Sequence, residues 1–90
     1  MLFRSSLSVK HHQHTGTNLK TGLGAAIRRK RTILGISQGE LAKRSGLHRT
    51  YVSDLERGAR NPSIDSIEKL ARALQVSVAK LFEVASNGKV

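Results

Sequence analysis

His48, Arg49, Thr50 and Ser53 fall close together in the chain, and in a helix they would share the exposed side of its first turns. No nucleophile–base pair stands among them, so their chemistry is recognition through donors and acceptors. An arginine there can offer two parallel N–H groups to the O6 and N7 of a guanine, and a threonine can meet a thymine methyl or a phosphate. Gln38 stands upstream at the start of another helical segment. There its amide, together with the positive end of the helix dipole, suits a phosphate oxygen. Asp54 breaks the pattern, because an acid repels phosphate. It either accepts from a cytosine amino group or holds Arg49 or Arg57 in place.

Charge supports a polyanionic partner. Sixteen Lys and Arg face six Asp and Glu, for a net charge of +10. Residues 1–21 hold three basic groups and no acid, residues 22–60 nine and three, and residues 61–90 four and three. The positive field therefore belongs to the middle third and the leading segment. Catalysis finds no footing. The chain has no Cys, residues 22–83 contain a single His, and each acid reads as a cap, an ion-pair partner or a surface charge. The glycines stand singly and build no phosphate loop. His11, His12 and His14 lack an accompanying carboxylate or Cys, so we expect no metal, no cofactor and no enzyme activity.

The elements that must hold these side chains are short helices. Leu23, Ile27 and Leu34 form an apolar stripe with the stem of Arg31 between them, and Gly35 stops it. Ser37 and Glu40 have capping-box spacing, Leu41 and Ala42 face inward, and Gly46 ends that segment. A third helix spans about His48 to Arg57, with Tyr51, Val52 and Leu55 inward and Gly58 as its stop. Pro62 forces Asn61 out of helical geometry. Ser63 caps a fourth helix with the stripe Ile64, Ile67, Leu70, Ala71 and Leu74. Ser77 caps a fifth that presents Val78, Leu81 and Phe82. The composition divides the chain into a disordered basic arm (1–21), an all-α five-helix domain (22–84) and a frayed tail (85–90). No apolar run reaches the roughly 18 residues of a membrane span, and the first residues lack the apolar core of a signal peptide. Absence of Cys fits the cytoplasm.

In SQGELAKRSGLHRTYVSDLERGARNP, a small Ala42, a turn-forming Gly46 and the wedge Leu47, Val52 and Leu55 set the angle between two helices. Together with LGAAIRRKR, IDSIEKLARAL and the closing VSVAKLF, this stretch resembles the lambda-repressor-like helix-turn-helix family, in its Cro/C1-type branch. It is similar to small restriction–modification controller proteins and phage-type repressors. The resemblance implies a compact five-helix fold, homodimeric binding to a double-stranded DNA operator with two half-sites, and control of transcription. It implies base reading by Arg49, Thr50, Ser53 and His48 in the major groove, and backbone contacts by Gln38, Tyr51, Arg57, Arg60 and Asn61. It also implies a structural salt bridge between Arg31 and Glu56. One recognition helix reads few base pairs, so two copies are expected to join through Val76, Val78, Leu81, Phe82 and Val84. No membrane and no small-molecule ligand is expected. The competing reading is an antitoxin-like interaction module whose partner is a protein and whose DNA binding is secondary.

Overall fold

The computed structural model describes the backbone of residues 5–87 and the side chains of residues 19–86. The described residues form five helices: α1 (Ser5–Leu34), α2 (Gln38–Ser45), α3 (Arg49–Glu56), α4 (Ile64–Ala73) and α5 (Val78–Asn87). The composition boundaries do not coincide with helix ends. Helical backbone in α1 crosses the 21/22 boundary, and Leu19 and Lys20 are already half-buried. α5 likewise passes residue 85.

Three of the four short helices, α2, α4 and α5, start at a serine cap that the sequence supplies. Ser37 Oγ accepts from the Glu40 amide at 3.0 Å, Ser63 Oγ from that of Ser66 at 3.1 Å, and Ser77 Oγ from that of Lys80 at 2.9 Å. These satisfy amides that the first turn leaves without carbonyl partners. Only one half of the expected capping box forms, since the Glu40 carboxylate accepts from Arg44 instead. Gly46 closes α2 in the left-handed region at φ 78°, with its amide bonded to Ala42.

The core collects Leu23 and Ile27 from α1, Leu41 and Ala42 from α2, Val52 and Leu55 from α3, Ile67, Leu70, Ala71 and Leu74 from α4 and its end, and Leu81 and Val84 from α5. α1 packs against α3 and most extensively against α5, while α2 packs against α3 and α4. Two glycines let α1 approach this closely. A Cβ on Gly24 would stand 2.0 Å from the Leu55 carbonyl oxygen, and one on Gly22 would stand 2.3 Å from that of Ala85.

Two sequence expectations are corrected by this packing. Ile64 is 72% exposed. It opens α4, and its Cβ tilts toward the helix start, beyond the edge of the core that Ile67 and Leu70 reach. Leu81 and Val84 are 0% and 2% exposed, so they fill the core and are withdrawn from the surface available to a second copy. On α5 and the turn before it, Val78 is exposed, while Val76 and Phe82 are half-buried against the core.

Candidate nucleic-acid interface

α3 is held from behind and open in front. Val52 and Leu55 are 0% and 2% exposed, and burying such side chains stabilises by about 1.5–3 kcal/mol each. That anchoring fixes both the axis and the rotation of a helix of only 8 residues, which would not persist alone in water. Arg49 and Thr50 are exposed on its opposite side, Ser53 is half-buried, and His48 is an exposed N-cap without a side-chain capping bond.

The front of α3 and the start of α2 meet in one cleft of about 270 Å³, lined by Gln38, Arg49, Thr50, Ser53, Asp54 and Arg57. It brings together the candidate base readers Arg49, Thr50 and Ser53 with two backbone candidates, Gln38 and Arg57. A second, wider hollow of about 600 Å³ lies between the α2–α3 turn and the α3–α4 loop, with His48, Thr50, Tyr51, Arg60 and Ser63 in its wall. Asn61 is exposed in the same loop.

Behind the cleft, Arg31 of α1 reaches Glu56 of α3 in a two-pronged bond, Nε to Oε2 at 2.6 Å and Nη2 to Oε1 at 3.0 Å. Arg31 also donates to the Ile36 carbonyl at 2.9 Å. The Glu56 side chain is 3% exposed, and its hydrogen bond is the main reason the Arg31 guanidinium pKa is raised above its ordinary value. Glu56 has a third donor, the Gln38 amide, whose Nε2 lies 3.0 Å from Oε1. Gln38 is therefore held at the mouth of α2 by the same carboxylate that ties α1 to α3. One amide hydrogen is engaged and the other remains for a second acceptor.

Across α3 lies another charged set. Asp54 accepts from Arg57 one turn on, and its second oxygen lies 3.7 Å from Arg60 Nη2. The Arg60 guanidinium sits 5.0 Å from the centroid of the Tyr51 ring, a cation–π distance. Of the two partners the sequence offered for Asp54 other than a base, the structure pairs it with Arg57 rather than Arg49. Arg57 is legible from its i,i+3 spacing. Arg60 is not, because a loop rather than a helical period brings it there. The engagement of Gln38 by Glu56 was equally hidden, since the two are 18 residues apart.

Among the described residues, no group of His, Cys, Asp and Glu is placed to hold a metal ion, and the side chains of His11, His12 and His14 lie outside them. No described helix is long and apolar enough to cross a membrane.

Comparison with known proteins places this geometry among relatives. A family model described as helix-turn-helix matches residues 27–81. The control protein C.BamHI of Bacillus amyloliquefaciens is 42% identical over 72 residues, spanning 79% of this chain and 89% of that protein. The crystal structure of the restriction-modification controller protein C.AhdI from Aeromonas hydrophila superposes with a TM-score of 0.67 at 46% identity, covering 68% of this chain and 92% of that one. The clp gene regulator ClgR from Corynebacterium glutamicum gives a TM-score of 0.75 at 36% identity, covering 78% and 74%.

Proposed function

The chain belongs to the helix-turn-helix family and is a non-enzymatic DNA-binding transcription regulator of the controller-protein kind, and from that premise we propose that it works as a homodimer on an operator with two half-sites. α3 enters the major groove of each half-site. Arg49 pairs with a guanine edge, and Thr50, Ser53 and His48 read its neighbours. Gln38 offers its remaining amide hydrogen, and the start of α2 its free backbone N–H groups, to a phosphate. Tyr51, Arg57, Arg60 and Asn61 flank the strand beyond. The observation that carries this reading is the shared cleft: the exposed donors of α3 stand beside the start of α2, while the opposite side of α3 is locked into the core.

The dimer is supported by the small footprint of one recognition helix. Two-fold symmetry sets half-sites about 34 Å apart along the duplex. Val78, with Val76 and Phe82 beside it, remains as the surface through which the copies join. The protein acts in the cytoplasm on the nucleoid. Selection of bound duplex from a random-sequence pool tests the proposal. The expected product is a pair of inverted half-sites about one helical turn apart. A pool that converges on no motif, or on a single half-site, sinks it.

A further inference from the structure

We propose that Asp54 is a positioning residue: it holds Arg57 and Arg60 in the register of operator binding, and so weakens binding to other sequences without reading a base itself. This inference rests on the operator-binding function proposed above.

Both carboxylate oxygens face arginines, and one of them is hydrogen-bonded. One accepts from Arg57, and the other lies 3.7 Å from Arg60. A carboxylate reading cytosine would need a free oxygen facing the groove. Asp54 is instead the sheltered member of its set: its side chain is 20% exposed, against 64% for Arg57 and 52% for Arg60. The acid lies inside, and the guanidiniums carry the charge outward.

The arrangement also ties the loop to the helix. Tyr51, Asp54 and Arg57 follow one another at i, i+3 and i+6, which places them along one side of α3. Arg60 comes from the α3–α4 loop and lies across the first two, over the Tyr51 ring and beside the Asp54 carboxylate. Without Asp54 it would keep only the ring contact.

Constraint of this kind acts differently on the two kinds of DNA. Untethered arginines adapt to phosphates wherever the protein lands, and such contacts supply nearly all sequence-independent affinity. Arginines held by Asp54 meet phosphates well only when α3 is docked in its specific register. The acid also repels every phosphate its arginines do not neutralise. The result is discrimination by a repulsive element as well as an attractive one.

The test compares an operator taken from the random-pool selection with a scrambled duplex of the same length, by fluorescence anisotropy over a range of salt. Asp54→Ala is expected to raise affinity for the scrambled duplex about 3–10-fold and to steepen its salt slope by about one phosphate contact. Operator affinity should stay the same or fall, so that the ratio between the two duplexes drops roughly tenfold. Asp54→Glu, which keeps the charge, should recover part of the ratio. In an Arg57→Gln/Arg60→Gln background, Asp54→Ala should no longer change it. Asp54→Glu remains informative even if Asp54→Ala folds poorly. An equal change on both duplexes would mean net charge alone and overturns the proposal. So does a loss confined to one C·G pair of the operator, which would make Asp54 a base reader. If the wild-type protein fails to distinguish any selected duplex from a scrambled one, operator binding itself falls, before any variant is examined.

Discussion

Arg49 and Glu56 show how differently two charged side chains on one helix can serve. Arg49 is exposed and faces the cleft. Its removal should leave stability nearly untouched and cost about 1–3 kcal/mol of operator binding, while a scrambled duplex loses little. Equal losses on both duplexes would refute base reading by Arg49. Glu56 is buried and accepts from Arg31 and Gln38. Glu56→Gln would leave the Arg31 charge unpaired, and breaking a buried pair this way costs about 3–5 kcal/mol. Urea unfolding should show that loss. A milder effect would mean that water or Ile36 compensates the guanidinium. Because the Arg31 pKa is raised in the folded state, its share of the stability is complete below the ordinary arginine value and is lost only in strong alkali. The pair therefore persists across the neutral range. At this scale the sequence was informative about types and weak about partners. The donor-rich front of α3 follows from residue identity and helical period. The hold of Glu56 on Gln38 depends on how α1 and α2 cross, which no local pattern encodes.

At the scale of helices, the caps and apolar stripes were legible because they repeat with the helical period, and Ser37, Ser63 and Ser77 all accept where their positions predict. The glycines of α1 were not. Within a helix, Gly reads as a flaw that Ala would repair, with a gain of about 1 kcal/mol. At Gly24 a Cβ would stand 2.0 Å from the Leu55 carbonyl oxygen, and overpacking of that kind costs about 1–3 kcal/mol. The clash involves backbone and cannot be relieved by a side-chain rotation, so Gly24→Ala should lower the urea midpoint. Gly39 provides the control, because its nearest neighbours lie 3.8 Å from an added Cβ. Gly39→Ala should therefore leave the midpoint unchanged or raise it. A rise for both would show that α1 and α3 are not so closely packed. α2 carries its own pH signature. The Arg44 guanidinium bonded to Glu40 holds that carboxyl below its ordinary range. A depressed folded value contributes stability above the unfolded value, and that contribution is lost as pH falls through the folded one. The melting-temperature difference between wild type and Glu40→Gln should thus be present at neutral pH and shrink as the solution is acidified below the carboxylate range. A difference independent of pH would assign the effect to something other than the ion pair.

For the molecule as a whole, the expected interface changes most. Leu81 and Val84 are interface candidates by their place on the fifth helix, yet both lie in the core. In so small a domain, one apolar stripe on the fifth helix must serve the interior first. Among the described residues of α5, Val78 is left as the exposed large apolar side chain, with Phe82 half-buried nearby. Val78→Asp should shift the protein toward monomer in sedimentation equilibrium at tens of micromolar, leave its helical circular dichroism intact and weaken operator binding. A dimer that survives this change would move the interface elsewhere, and a wild-type protein that sediments as a monomer would remove it.

The packing of α1 on α5, where a Cβ on Gly22 would meet the Ala85 carbonyl, also imposes an order of events during synthesis. α1 finds its largest contact in α5, made more than forty residues later. Until residues 78–87 have left the ribosome, Leu23 and Ile27 have no Leu81 and Val84 to pack against, and the helix pair built on α2 and α3 lacks one wall of its support. Each new copy therefore completes the packing behind α3 only once α5 has been made. A nascent chain that still lacks α5 is a poor competitor for DNA.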